Sequence, residues 1–202
     1  TDRQRRPARD AAGARLGHLG GGGDQTLRRP LVHRGVEGHL RHTGHRIDQD
    51  WILAFRARRD VALTQRLQSV PGAVDAVRTV ADRLPVACVS GADRGKIEMQ
   101  LAMAGLTDVF GDNVFSGMER ERSKPAPDVY LAAARTLGLD PATAAVVEDS
   151  ASGVAAGIAA GSTVFGFAGE GPTYLAGEAL LGLGVAAVFT RMDELPGLVL
   201  PA

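Results

Sequence analysis

From about Asp50 to the C-terminus, apolar residues follow two alternating patterns. Short apolar runs between turn-forming residues predict buried strands, at residues 85–91, 113–117, 144–149, 162–167 and 185–189. Longer stretches with apolar residues every three or four positions predict helices, at residues 50–68, 71–84, 96–106, 125–139, 150–161 and 192–199. Pro71 and Pro127 can open two of these helices, and Gly105, Gly138 and Gly161 can close three.

Predicted strands and helices alternate with short connections, which favours an α/β fold. In such a fold, right-handed βαβ units build a parallel sheet with helices on both faces. Ligands bind at the carboxyl ends of the strands. Ser90, residues 116–124 and the pair Glu148 and Asp149 all lie at or just after predicted strand ends. We therefore expect these polar side chains to meet at one edge of the sheet.

The first 50 residues differ from the rest of the chain. They contain all five histidines and no Phe, Tyr, Trp, Met or Cys, and they are rich in Arg and Gly. No helix or strand period is visible in them. One interpretation is a disordered arm. The other is a reading-frame error, because back-translation with a one-base shift permits an ordinary amphipathic helix. We favour the second interpretation and expect residues 1–48 to be non-native.

Composition excludes several classes of partner. The 202 residues carry 23 Lys and Arg against 23 Asp and Glu, so the formal net charge is zero. This balance argues against nucleic acid and against an anionic membrane. No apolar run reaches the roughly 18 residues that span a bilayer. The one cysteine, Cys88, excludes an internal disulfide and fits a reducing compartment. We expect a cytoplasmic monomer.

Ser90 leaves a hydroxyl at a predicted strand end, and Gly91 lets the next backbone N–H approach a ligand closely. Such a loop could hold one phosphate oxygen. The alternative is that Ser90 only caps the next helix. The neighbouring string GADRGK is one residue short of a nucleotide P-loop, and Ile97 stands where Ser or Thr is required. A P-loop is therefore excluded.

Lys124 precedes a helix that begins with proline. Pro125 biases the lysine toward an extended backbone, and a compact ammonium on a stiff backbone suits a phosphate or an attacking carboxylate. The alternative is a solvated surface lysine. The chain has 21 arginines and only two lysines, Lys96 and Lys124. This scarcity favours a function for Lys124.

Glu148 and Asp149 are adjacent carboxylates at a strand end, and like charges at that distance raise each other's pKa unless a cation lies between them. Hard carboxylate oxygens there fit Mg²⁺, which takes one or two carboxylates together with phosphate. The alternative is that Asp149 or Ser150 caps the following helix. The aromatic side chains lie in periodic apolar segments and are expected in the core: Trp51, Phe115, Tyr130 and Phe165.

The order of these features resembles one enzyme superfamily. SGADRGK, RSKPAPDVYLAAA and VVEDSASGVAAGIAAG, each at a strand edge and in this order, are similar to motifs two, three and four of the haloacid dehalogenase-like hydrolases. Within that superfamily they look like the β-phosphoglucomutase and sugar-phosphate phosphatase branch. A receiver domain uses similar residue types, but its acidic pair precedes its hydroxyl. The resemblance covers about residues 50–202.

The resemblance implies a Rossmann-like core over residues 71–202 and a remnant of a helical cap over residues 49–70. It implies that Ser90 and Gly91 bind the phosphoryl group and that Lys124 bridges nucleophile and phosphate. Ser90 and Lys124 are thus the candidate catalytic residues. Asp149 would ligate Mg²⁺, and Glu148 would do so directly or through water.

The family's first motif, Asp-x-Asp, supplies the nucleophile for an aspartyl-phosphate, and it is missing here. The string IDQD matches the Asp-x-Asp pattern at Asp48 and Asp50, but no apolar run that would predict a strand precedes it. We expect the parent protein to be a Mg²⁺-dependent phosphatase of a small phosphorylated sugar or sugar acid, inactive as given. The alternatives are a phosphosugar mutase and a non-catalytic protein that binds a phosphometabolite or a partner.

Overall fold

The computed structural model describes residues 48–171 and 174–201. The chain divides into two compact units, Thr1–Phe55 and Arg56–Ala202. Because the described residues begin at residue 48, the predictions for residues 1–48 lie almost entirely outside them. No helix in the described ranges is both long enough and apolar enough to cross a membrane.

Helix α1 (Gln49–Arg66) buries none of its residues. Asp48 caps its start, because its carboxylate accepts a hydrogen bond from the backbone N–H of Trp51 at 2.8 Å. Trp51 stacks on Phe55 with ring centroids 5.3 Å apart and is 47% exposed. The prediction that Trp51 lies in the core is therefore wrong, since helix periodicity alone does not show whether another element covers the apolar face.

Five strands form two parallel sheets in the described ranges. In the first sheet β1 (Cys88–Ser90) pairs with β2 (Val114–Ser116), and Ser90 lies opposite Ser116. In the second sheet β4 (Thr163–Phe167) lies between β3 (Ala145–Glu148) and β5 (Ala187–Phe189). Every predicted strand is present and parallel. The expected single sheet, however, is divided between β1 and β3.

Helices connect the strands and cover both faces of the sheets. After α1, their bounds are α2 (Ala73–Ala81), α3 (Arg94–Met103), α4 (Thr107–Phe110), α5 (Asp128–Leu137), α6 (Ala151–Ala159), α7 (Gly177–Gly182) and α8 (Leu195–Val199). Within the described part of the chain, three 3₁₀ turns occupy Gly117–Glu119, Pro141–Thr143 and Met192–Glu194. The sequence did not predict α4, α7 or the first two of these turns, because single turns are too short to show a helical period.

Among the described residues, three apolar clusters form the core around the sheets. One lies between α5, α6 and α7 and the strands, where Val129, Val154 and Leu180 are fully buried. A second lies between α2, α8 and the side chains of Phe167 and Phe189. The third joins α3 and α4 to β2. Together they confirm an α/β fold with helices on both faces.

The many Ala and Gly residues of α6 allow close packing on the second sheet. A Cβ at Gly157 would come within 2.8 Å of a Val164 methyl group on β4 and 3.3 Å of a Val146 methyl group on β3. Ala156 is completely buried. The helix therefore lies closer to the strands than larger side chains would permit.

An apolar cavity of about 420 Å³ is bordered by β1 of one sheet and β3 of the other. Val89 lines it from β1, and Ala145 and Val147 line it from β3. No charged side chain is among the described residues that line it. Val147 is 37% exposed although it lies in a strand. The two sheets thus leave apolar strand surface unpacked along the division between them.

Candidate functional site

Lys124 connects the carboxyl ends of the two sheets. Its Nζ lies 3.5 Å from the carbonyl oxygen of Val89 in β1 and 2.5 Å from Glu148 Oε1 at the end of β3. Its side chain is only 11% exposed. The loop before α5 presents it, and the Lys124–Pro125 peptide bond is cis. Lys124 is therefore a buried ion-pair partner, which contradicts the alternative of a solvated surface lysine.

Glu148 accepts hydrogen bonds at both carboxylate oxygens. Oε1 accepts from Lys124 Nζ and from the Tyr130 hydroxyl. Oε2 accepts from Ser150 Oγ at 3.0 Å and from the backbone N–H of Asp149 at 3.2 Å. A buried charge is tolerated when it is paired and hydrogen-bonded in this way. In this structure the cation that lies against the acidic pair is thus the Lys124 ammonium.

Tyr130 contacts both members of this ion pair. It is 8% exposed and belongs to the main core cluster, as its position in α5 predicted. Its hydroxyl donates to Glu148, while Lys124 Nζ lies 4.8 Å from the centroid of its ring. The sequence predicted a core residue and missed this polar role. A tyrosine in the helix that follows the lysine was the available signal, because a buried hydroxyl needs a partner.

Gly153 makes room for the Glu148 carboxylate. It lies in the first turn of α6, and a Cβ there would fall 1.9 Å from Glu148 Cδ. Ser150 caps the same turn, since its Oγ accepts a hydrogen bond from the Gly153 N–H at 3.1 Å. The prediction that Ser150 could be a helix cap is correct, and its hydroxyl also donates to Glu148. Sequence reasoning missed Gly153, although glycine near a helix start is a poorer helix former than alanine.

Ser90 ends β1 beside Val89, the residue whose carbonyl faces Lys124. Its Oγ accepts a hydrogen bond from the Ala92 N–H at 3.2 Å, which closes a tight turn after the strand. Asp93, and not Ser90, caps α3, because its carboxylate accepts from the Lys96 N–H. The alternative of a helix cap at Ser90 is therefore wrong. A Cβ at Gly91 would meet no atom within 4 Å, so the backbone is open there.

Ser116 supports this loop from the neighbouring strand. Its side chain is fully buried, and Oγ donates to the Ala92 carbonyl oxygen at 2.6 Å. Ser116 Oγ also accepts a hydrogen bond from the Met118 N–H at 3.2 Å. Ser116 thus ties the loop after β1 to the end of β2. The sequence placed it in the segment that converges on the site but assigned it no role.

The surroundings of Glu148, Asp149 and Tyr130 shift the pKa values of these three groups in different directions. Burial opposes ionisation of Glu148, but the charge and hydrogen bond of Lys124, with those of Tyr130 and Ser150, hold its pKa below the usual value. Desolvation and then the Glu148 charge raise the pKa of Asp149. Burial and the same carboxylate raise the pKa of the Tyr130 hydroxyl, which therefore stays protonated. Glu148 is therefore the carboxylate of the pair whose ionised form is stabilised.

Asp149 is the exposed carboxylate at this edge. Its oxygens are hard donors of the kind that Mg²⁺ takes together with water and a substrate phosphate. Between residues 48 and 171 and between 174 and 201, no three His, Cys, Asp or Glu side chains are grouped so that they could hold a metal ion. The metal role of Asp149 and Glu148 stays a prediction.

A protein-family model matches most of the chain. The model of the haloacid dehalogenase-like hydrolases matches residues 5–161, more than half of the chain. The chain belongs to this family. The match begins well before Asp48, and the expectation that residues 1–48 are non-native stays a prediction.

Solved structures and curated relatives agree with the family. A hydrolase of this family from Deinococcus radiodurans R1, solved with bound phosphate and sodium, is 31% identical, has a TM-score of 0.65, and matches over 86% of this chain and 80% of its own. Hexitol phosphatase A from Escherichia coli K12 is 36% identical over 50% of this chain and 46% of its own length. The bifunctional riboflavin kinase/FMN phosphatase of Arabidopsis thaliana is 39% identical over 51% of this chain and 27% of its own. The matches span half or less of these two curated relatives.

Proposed function

We propose that the complete protein is a phosphatase that removes the phosphoryl group of a small phosphorylated sugar or sugar acid through an aspartyl-phosphate. One observation carries the proposal: Lys124 Nζ lies between the end of β1, 3.5 Å from the Val89 carbonyl, and the end of β3, 2.5 Å from Glu148. A serine, an ammonium and an acidic pair therefore share one sheet edge. The phosphate bound in the Deinococcus structure and the hexitol phosphatase activity named for the Escherichia coli relative support the substrate class.

Each residue at the edge has a distinct proposed task. The Ser90 hydroxyl and the backbone N–H of Gly91 would donate to oxygens of the phosphoryl group. The Lys124 ammonium would neutralise the charge that develops on those oxygens, and it needs no reorganisation because Glu148 already holds it. Asp149 would hold Mg²⁺, with Glu148 contributing directly or through water, and the bound ion would screen the phosphate charge.

Within residues 48–171 and 174–201, we assign no aspartate as the nucleophile of this reaction. Asp48 caps α1, and Asp50 lies in its first turn, so neither of them belongs to a strand. Positioning and electrostatics do not replace the covalent step of an aspartyl-phosphate mechanism. We therefore propose that residues 1–202 bind phosphate without hydrolysing a phosphate ester. A non-catalytic protein that binds a phosphometabolite is the second candidate, and the lack of an assigned nucleophile among the described residues favours it.

Binding of inorganic phosphate to the 202-residue chain tests the proposed site. Isothermal titration calorimetry should detect binding by the unaltered protein and a loss of at least tenfold in Lys124→Met. Lys96→Met is the matched control, because Lys96 is the chain's other lysine. Equal affinity in Lys124→Met and Lys96→Met would remove Lys124 from the phosphate site.

Turnover of an aryl phosphate separates the enzyme from the non-catalytic candidate. With Mg²⁺, the 202-residue chain should show no hydrolysis. A protein with a restored upstream Asp-x-Asp strand should be active, and Asp149→Asn should then sharply weaken its Mg²⁺-dependent rate. Robust hydrolysis by the chain as given, abolished by Asp48→Asn or Asp50→Asn, would falsify the assignment and make IDQD the nucleophile motif.

A further inference from the structure

We propose that Tyr130 is a positioning residue that fixes the Lys124 ammonium at the sheet edge. This role rests on the proposed phosphate site, since it specifies how that site keeps its cation in place. Tyr130 lies in α5 and donates to Glu148 Oε1, whereas Ser150 donates to Oε2. The structure gives it two separate contacts with the pair, one through its hydroxyl and one through its ring.

The hydroxyl acts on Glu148. Oε1 of this carboxylate accepts from both Tyr130 and Lys124, and Oε2 is held by Ser150 Oγ and the Asp149 N–H. Four donors therefore fix the plane of the carboxylate. Removal of the Tyr130 hydroxyl leaves Oε1 with Lys124 as its one donor among these four groups. The carboxylate can then turn, and the ammonium it holds can move with it.

The ring acts on Lys124. The Nζ atom lies 4.8 Å from the ring centroid, within the range of a cation–π contact. With a side chain that is 11% exposed, the lysine has little water to replace a lost partner. The two contacts can be separated by substitution, because Tyr130→Phe removes the hydroxyl and keeps the ring, whereas Tyr130→Leu removes both.

The chain has two lysines, which makes the position of Lys124 directly measurable. Protein labelled with ¹³C at the lysine ε-carbon should give two side-chain NMR signals, and Lys96→Arg assigns them by removing one. The Lys124 signal should be displaced from that of Lys96 by the nearby aromatic ring. Tyr130→Phe should move it part of the way toward the Lys96 position, and Tyr130→Leu should move it further.

Phosphate titration measures the consequence for the site. Tyr130→Phe should weaken the binding of inorganic phosphate by about threefold to tenfold, the usual net effect of one hydrogen bond. Tyr174→Phe is the matched control: Tyr174 packs edge-on against Phe167 at 5.4 Å between ring centroids, in a different cluster. It should leave both the Lys124 signal and the phosphate affinity unchanged.

The two measurements separate the possible failures. An unchanged Lys124 signal in both Tyr130 variants overturns the positioning role, whatever happens to phosphate. A signal that moves while phosphate affinity stays constant overturns the link between Tyr130 and the binding of phosphate. If the unaltered protein binds no phosphate, the proposed function fails, while the NMR signals still decide whether Tyr130 positions Lys124.

Discussion

Gly153 lies against the Glu148 carboxyl group so closely that a Cβ at this position would fall 1.9 Å from Glu148 Cδ. The carboxylate occupies the space that the Cβ of any other residue at position 153 would fill. Glu148 in turn holds Lys124 at 2.5 Å. The geometry of the ion pair therefore depends on a residue with no polar side chain.

Gly153→Ala should destabilise the protein and weaken phosphate binding together. The methyl group must displace the carboxylate from its donors, and disturbing a buried hydrogen-bonded charge costs about 2–3 kcal/mol. Urea unfolding and phosphate titration measure the two effects. Gly95→Ala is the control, since the nearest atom to its Cβ is 3.9 Å away, and it should be neutral or slightly stabilising. Equal behaviour of the two variants would show that Glu148 is not confined by Gly153.

Lys124→Met should reduce the free energy of unfolding by about 3–5 kcal/mol, because it leaves the buried Glu148 carboxylate without its cation. The double variant Lys124→Met/Glu148→Gln should recover part of this loss, since the second change removes the unpaired charge. Lys96→Met should change stability by less than about 0.5 kcal/mol. Additive losses in the double variant would contradict the buried ion pair.

Ala145→Ile should stabilise the protein. Ala145 borders the apolar cavity of about 420 Å³, and a β-branched side chain suits a strand. Three added carbon atoms, each contributing up to about 0.8 kcal/mol when buried, should raise the free energy of unfolding by about 1–2 kcal/mol. Ala187→Ile on β5, which does not border the cavity, should give no comparable gain in the same urea experiment. A loss of stability in Ala145→Ile would mean that the cavity wall cannot accept the larger side chain.

Acid should remove the contribution that ionised Asp93 makes to the free energy of unfolding. Burial opposes its ionisation, but Arg59 Nη1 at 2.9 Å and the Lys96 N–H at 3.2 Å hold its pKa below the usual value. Because the folded-state pKa is the lower one, the contribution is complete above the unfolded-state value of about 3.9 and is lost as the pH falls through the folded-state value.

The Asp93→Asn variant tests this contribution. It should be less stable than the unaltered protein by about 0.5–1 kcal/mol at pH 7, a value that allows for partial exposure of the pair. The difference should shrink when urea unfolding is repeated at pH 3. Asp112→Asn, which changes an exposed carboxylate, is the control. A difference that stays constant between the two pH values would exclude the ionised Asp93 as its source.

The sequence by itself determined the positions of the five strands along the chain, their parallel arrangement and the location of Ser90, Lys124 and the acidic pair at or after strand ends. These features follow from local patterns. A run of apolar residues between turns favours a strand, and a βαβ connection brings the carboxyl ends of successive strands to the same side. The helix limits at Pro127 and Gly138 are also local, because proline restricts φ at a helix start and glycine permits the left-handed backbone that ends a helix.

The tertiary structure decided which side chains contact one another at the site. Tyr130 and Glu148 are 18 positions apart in sequence, and nothing in the pattern of α5 shows where its tyrosine hydroxyl points. The same holds for Gly153, whose importance depends on the carboxylate packed against it, and for Trp51, whose helix buries none of its residues. The division between β1 and β3 was likewise not predicted, because a strand's own sequence does not specify which edge is paired. Contacts of this kind arise when separate elements pack together, so only the folded chain defines them.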